Sequence, residues 1–313
     1  MKTFIRLAEV WVPSDDESLL ELAGGLFDSA PAFGAVTKQM CFGRAEGLPG
    51  RAWDDGHPAM LRKLEGSYFR RAAAARAAGL SCAVAFPIFV GDVLTCVVVL
   101  LCGDTGSHIG AVELWHNDPR VGTDLTLADG YFGSTSPALE ILTRDAWLPR
   151  GAGAPGLAWQ RESAIFIDDI AGSKYFLRGA EAAAAGILRA LSIPCGVRGN
   201  DTWVLSLLSS AATPIALRTE IWRPDATGLH LQCAAGRCEI KGPLPCGTSN
   251  LWPIDALGPI GLAWRSGVAQ AVTGGAVHAA LTAEEAKAAG LRSILAIPVV
   301  GDGVVCEVVG LYF

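Results

Sequence analysis

Charge is in short supply. Of 313 residues only 18% are charged, and 25 Lys and Arg face 31 Asp and Glu, for a net charge of −6. No basic stripe runs along the chain, which excludes nucleic acid as the main partner, because phosphate binding draws on clustered cations. At 51% hydrophobic the sequence is too apolar for a disordered chain. The opening Met1-Lys2-Thr3-Phe4-Ile5-Arg6 lacks the basic-then-apolar run of an export signal. An uninterrupted membrane span is missing too. The most apolar run, Cys82 to Cys102, is broken by Pro87, Gly91 and Asp92 and is rich in β-formers. It reads as two buried strands joined at Gly91-Asp92. The nine cysteines are an odd number with no Cys-x-x-Cys pair, which points to reduced, buried thiols and a cytoplasmic location. There is no Walker loop, G-x-S-x-G elbow, H-E-x-x-H pair or paired-carboxylate constellation, so no catalytic residue is assigned and no cofactor is specified.

What the chain has in plenty is repetition. Glu9-Val10-Trp11 recurs as Glu113-Leu114-Trp115 and Glu220-Ile221-Trp222. Pro49-Gly50-Arg51-Ala52-Trp53 recurs as Pro155-Gly156-Leu157-Ala158-Trp159 and Ile260-Gly261-Leu262-Ala263-Trp264. Ala77-Ala78-Gly79-Leu80 returns as Ala184-Ala185-Gly186-Ile187 and Ala288-Ala289-Gly290-Leu291, and Phe86-Pro87 as Ile193-Pro194 and Ile297-Pro298. From Trp53 to Trp159 is 106 residues and from Trp159 to Trp264 is 105. A period of this length is a domain, not a solenoid turn. The reading is three homologous modules, 1–107, 108–214 and 215–313.

Each module reads as a Glu-x-Trp strand (Ile5 to Val12), a second strand (Leu19 to Ala23) and an irregular Gly-rich segment ending in Pro-Gly-x-Ala-Trp. An Ala-rich helix follows (Arg71 to Ala78), stopped by Gly79, and then two apolar strands (Cys82 to Val90 and Val93 to Leu101). The fold class is α+β, three repeats of an antiparallel sheet with an Ala-rich helix and loop layer.

These words resemble the GAF family of small-molecule-binding regulatory modules. The resemblance rests on Gly47 to Trp53, Ala77 to Leu80, Ala83 to Ile88 and the Gly91-Asp92 turn, with matching words at Gly153 to Trp159, Ala184 to Pro194, Gly258 to Trp264 and Ala288 to Pro298. It implies a PAS-like sheet with a pocket between one sheet face and the helix-and-loop layer. The ligand is not implied. The Asn-Lys…Phe…Asp-Glu pattern of cyclic-nucleotide binders is absent, as is a Cys-His pair for a bilin. The five histidines share no repeat position, so no repeated haem or metal site is expected.

Glu9, Glu113 and Glu220 each share a strand face with the Trp two residues on. Three equal copies point to fold maintenance, a carboxylate held by an Arg or a backbone amide, over acid–base work. The repeated tryptophans, including Trp147 and Trp252, are expected in cores. Cys82 and Cys102, or Cys233 and Cys238, are the candidate thiol pairs, and Asp168-Asp169 is read as solvated. The helix start separates the modules. Module 3 has a capping box, Thr282-Ala283-Glu284-Glu285, where modules 1 and 2 have Phe69-Arg70-Arg71 and Phe176-Leu177-Arg178. A cation at a helix N-terminus is unfavourable by about a few tenths of a kcal/mol unless an anion offsets it. A bound anion would do so, which makes Phe69, Arg70, Arg71, Cys82, Phe176 and Arg178 the candidate ligand residues.

The sequence thus leads to a non-enzymatic sensor for a small metabolite, anionic where the arginines hold it, bound in module 1 or 2 and acting through a partner or self-association. The alternatives are a thiol redox enzyme of the GAF-like methionine sulfoxide reductase type and a purely structural dimerisation protein. The closing strands are apolar on both faces, so both faces are expected to be covered. The cover is expected from the other modules, with a residual face making a homodimer.

Overall fold

Alternation along each Glu-x-Trp strand gives it two apolar faces, and the whole architecture follows from covering both. The computed structural model describes residues 2–103, 108–195, 201–247, 251–274 and 283–313. Thr282 of the expected capping box lies outside these described residues. Module 1 runs β1 (Ile5–Pro13), β2 (Leu20–Leu26), α1 (Pro31–Thr37), β3 (Cys41–Phe42), α2 (Gly47–Asp55), β4 (Ala59–Leu61), α3 (Ala72–Ala77), β5 (Leu80–Val90) and β6 (Val93–Gly103). Module 2 follows with β7 (Gly110–Asn117), β8 (Leu125–Tyr131), α4 (Pro137–Arg144), β9 (Trp147–Leu148), α5 (Gly153–Arg161), β10 (Ile165–Ile167), α6 (Gly179–Ala184), β11 (Arg189–Cys195) and β12 (Thr202–Ser209). Module 3 has β13 (Arg218–Pro224), β14 (His230–Cys238), β15 (Gly242–Pro243), β16 (Leu251–Pro253), α7 (Pro259–Ser266), β17 (Gln270–Thr273), α8 (Ala283–Ala288), β18 (Ser293–Gly301) and β19 (Val304–Tyr312).

Each module forms one antiparallel sheet, in the orders β3-β2-β1-β6-β5-β4, β10-β11-β12-β7-β8-β9 and β15-β14-β13-β19-β18-β17, with β16 also on β14. The class is α+β. The Pro-Gly-x-Ala-Trp segment departs from the reading above, because it is helical (α2, α5 and α7) and not irregular. Pro49 and Pro155 sit in the first turn, where a missing N–H breaks no helical bond. The repeated glycine serves a close approach. A Cβ on Gly50 would come 2.1 Å from the Gly43 carbonyl oxygen, one on Gly156 2.5 Å from that of Pro149, and one on Gly261 2.0 Å from that of Ile254. The Ala-rich helices end as expected, with Gly79, Gly186 and Gly290 at φ +68, +78 and +69.

Along β5, Ala83, Ala85 and Phe89 face the helices of module 1, while Cys82, Val84, Phe86 and Ile88 face the other way. That second face joins a single core built from all three modules. Val84, Leu191 and Leu295 occupy equivalent positions in it, as do Phe86, Ile193 and Ile297. β5, β11 and β18 contact one another pairwise, so the three equivalent strands surround a common axis. The repeated Pro87, Pro194 and Pro298 lie on these strands just past the reach of β4, β10 and β17, where a missing N–H need not cost a ladder bond.

The sheet faces therefore cover one another. The chain exposes 12700 Å², against about 12,400 Å² for one compact chain of its mass and about 16,700 Å² for three separate modules. Polar contacts tie the seams. The Phe4 amide donates to the Pro214 carbonyl at 2.7 Å and the Gly91 amide to Gly303 at 2.8 Å. The Thr95 hydroxyl donates to the Gly267 carbonyl at 2.6 Å. With these faces consumed, the apolar runs supply no argument for a homodimer. Among the described residues no helix is long and apolar enough to cross a membrane.

Candidate ligand cavity

The buried carboxylate of each Glu-x-Trp strand organises the space between sheet and helices. Glu9, Glu113 and Glu220 are fully buried, and each accepts a hydrogen bond from the indole N–H two residues on, at 2.9, 2.9 and 2.8 Å. A buried charge needs a further partner, and here the modules part company.

In modules 1 and 2 the partner comes from the helix start. Arg71, the residue before α3, pairs with both oxygens of Glu9, Nη2 to Oε2 at 3.0 Å, and donates to the Thr37 hydroxyl at 2.6 Å. The rings of Trp11, Phe33, Phe42 and Phe69 surround its guanidinium, with centroids 5.8, 4.8, 5.7 and 5.0 Å away. Arg178 repeats this before α6, reaching Glu113 at 2.7 and 3.0 Å and donating to Thr143. The carboxylates that offset the two N-terminal cations thus belong to the protein itself. Of the other candidate residues, Phe69 and Phe176 are buried beside these arginines, and Arg70 lies at the surface, 2.6 Å from Glu46. Cys82 is buried opposite Cys102 in the register of β5 and β6, inside the shared core. Burial holds both thiols well above their ordinary pKa, Cys102 at about 12.

In module 3 the partner comes from the strand. Arg218 donates through Nε to Glu220 Oε1 at 2.5 Å, and Tyr312 donates its hydroxyl to Oε2 at 2.7 Å. Burial would lower the Arg218 pKa, but the Glu220 carboxylate more than offsets it and keeps the guanidinium charged. Arg218 and Tyr312 are cross-strand partners on β13 and β19. The equivalent pairs are Leu7–Leu101 in module 1 and Ala111–Leu208 in module 2, both apolar. With no helix arginine drawn inward here, a cavity of about 340 Å³ remains, lined by Arg218, Glu220, Trp222, Cys233, Lys241 and Trp252 among others. Glu220 already accepts three donors. Arg218 spends only Nε, and its two Nη nitrogens have no protein partner among the described residues. Their planar pair of donors matches a carboxylate. Lys241 and Glu285 stand 3.9 Å apart on the lining.

No family model matches the chain, and no curated protein does. Among solved structures it is similar to a free methionine-R-sulfoxide reductase from Neisseria meningitidis, solved with its substrate, at 18% identity over 34% of this chain and 53% of that one, with a TM-score of 0.25. It is also similar to the nlh2 GAF domain of A. aeolicus in an inactive state (17% identity, 32% of this chain, 59% of that one, TM-score 0.27). A third is the GAF domain/HD domain protein of Geobacter sulfurreducens (13%, 33%, 65%, TM-score 0.27). The alignments span about half to two thirds of those chains. The repeated words, the strand order and the helices on one sheet face agree with the family resemblance. The fold of each module is GAF-like.

The GAF-like sheet brings together residues that sequence reasoning did not single out. Thr37 and Thr143, 106 residues apart, were findable as a fifth repeated landmark. Arg218 was visible as a charge two residues before Glu220, where the other modules have Leu7 and Ala111. The thiol near Cys233 is Cys246, at 3.0 Å, and not Cys238. Trp147 is 67% exposed, not core, while Trp252 lines the cavity. Asp168 is not simply solvated, because it lies 3.4 Å from Arg237 across the seam between modules 2 and 3.

Proposed function

We propose that the chain is a cytoplasmic, non-enzymatic sensor that binds a small organic carboxylate in module 3 and acts through a partner or through self-association. One observation carries the reading. The cavity holds a charged arginine whose two Nη nitrogens have no partner among the described residues, while the equivalent space in modules 1 and 2 is filled by a paired arginine. The volume suits a ligand of metabolite size. In the proposed complex the carboxylate lies on Arg218 and its apolar body lies against Trp252 and Leu244. Arg71 and Arg178 act as built-in substitutes for such a ligand, each supplying a cation to its own module's carboxylate.

Calorimetric titration with a panel of aliphatic and aromatic carboxylates, their neutral amides and inorganic phosphate tests this. Saturable binding of at least one carboxylate is expected, with its amide inert. Arg218→Gln should abolish binding, and Arg70→Gln should leave it intact. Binding that survives Arg218→Gln, or a panel in which no carboxylate saturates, refutes the reading.

A further inference from the structure

The cavity wall carries a second chemistry. Cys233 on β14 and Cys246, in the segment after β15, place their sulfurs 3.0 Å apart. Their backbones are held side by side, because the Gly247 amide donates to the Cys233 carbonyl at 3.2 Å. The Leu244 amide donates to Gly236 at 3.0 Å, tying the same segment to β14 a few residues further on. Closing this gap to a disulfide requires the sulfurs to approach by about 1 Å more. Cys233 is buried on the cavity lining, and Cys246 is half-buried and open to a small oxidant.

We infer that Cys233 and Cys246 form a hydroperoxide-responsive dithiol whose disulfide cross-links β14 to the wall of the module 3 cavity. The Cys246 thiolate attacks the terminal peroxide oxygen. An S–O bond forms, the O–O bond breaks, and the alcohol or water leaves with a proton. The Cys233 sulfur then attacks the sulfenic sulfur. The S–S bond forms, the S–O bond breaks, and hydroxide departs as water with the Cys233 proton. Two thiols are oxidised by two electrons and one hydroperoxide is reduced. The division of roles follows the surroundings. Burial first, and the nearby Glu220 carboxylate second, push the Cys233 thiol well above its ordinary pKa, so it enters as the resolving thiol and Cys246 as the attacking one. The cross-link removes the Cys233 proton from beside Arg218 and Glu220 and fixes one wall of the cavity.

The experiment treats the full chain, in a Cys41→Ser background that removes the exposed thiol, with substoichiometric to equimolar hydrogen peroxide. Alkylation, intact mass and peptide mapping follow. The expected product is lighter by two hydrogens, yields one peptide pair joining residues 233 and 246, and reverts with dithiothreitol. Cys246→Ser should eliminate it and Cys238→Ser should leave it unchanged. Oxygen adducts on Cys246 with Cys233 still alkylatable, or cross-links between other cysteines, overturn the proposal. Mapping on the Cys41→Ser chain decides the matter even if Cys233→Ser or Cys246→Ser fails to fold. The measurement uses no carboxylate, so its failure leaves the ligand reading untouched.

Discussion

Modules 1 and 3 solve the same problem with opposite results. Both bury a carboxylate two residues before a tryptophan. Module 1 draws its counter-charge from the residue before α3, and the long Arg71 side chain fills the space beneath four aromatic rings. Module 3 draws it from its own strand, so the cation arrives from the floor and the space above stays open. The lesson is that the source of one arginine, helix or strand, decides whether the space above the buried carboxylate is filled or left open in these modules. Module 2 follows module 1.

The comparison takes the modules as variations within one body, and cutting that body is its severest test. Residues 1–107 expressed alone should be insoluble or molten, because the Cys82–Ile88 face of β5 loses its cover. Light scattering and near-ultraviolet dichroism read this out, and a well-folded monomeric fragment would separate the modules again. Next in size is Glu9→Ala, which strands a buried guanidinium. It should cost about 3–5 kcal/mol in denaturant unfolding, with Glu9→Leu plus Arg71→Met recovering most of it. Glu220→Ala should cost less, because Arg218 lines an open cavity. Equal costs would erase the distinction between locked and open modules. The smallest effect concerns what all three modules share. Asp16, Asp118 and Asp225 sit in the turn after the Glu-x-Trp strand, each with a lowered pKa, about 2 for the first two. The main causes are hydrogen bonds from Ser14 and Ser18, from Arg120 and from Thr227 respectively. A carboxylate lowered on folding adds stability that is present above its ordinary pKa and is lost as pH falls through its folded value. Asp16→Asn should therefore flatten the acid limb of the stability profile between pH 3.8 and about 2. An unchanged limb would show that the turn hydrogen bonds do not persist in solution.

Much of this was legible because repeats expose constraint. The Glu-x-Trp strands, the helix-ending Gly79 and the doubly apolar β5 and β6 could be read from local words, since strand period and helix stops are local physics. The Pro-Gly-x-Ala-Trp helices were misread because glycine and proline are breakers by default. Here Pro49 occupies a position with no bond to lose, and Gly50 admits a backbone carbonyl. The Arg71 position at the helix start was readable, but its partner Glu9 lies 62 residues away. Arg218 and Tyr312 become a pair only through the β13–β19 register, and Cys233 meets Cys246 only through a turn that no short motif encodes.

The Phe4 amide finds its acceptor at Pro214, more than two hundred residues along the chain. During synthesis that acceptor does not yet exist when the first sheet emerges. At about 5–20 residues per second, the ribosome needs on the order of ten seconds to travel from residue 103 to residue 214. For that interval the inner face of β5 and β6 lacks the module 3 residues that cover it in the finished chain. The same central axis that makes the finished protein compact makes its production a race between elongation and misassociation. A cell that makes this protein well must shield the first third of the chain while its partners in module 2, and then those in module 3, are still being made.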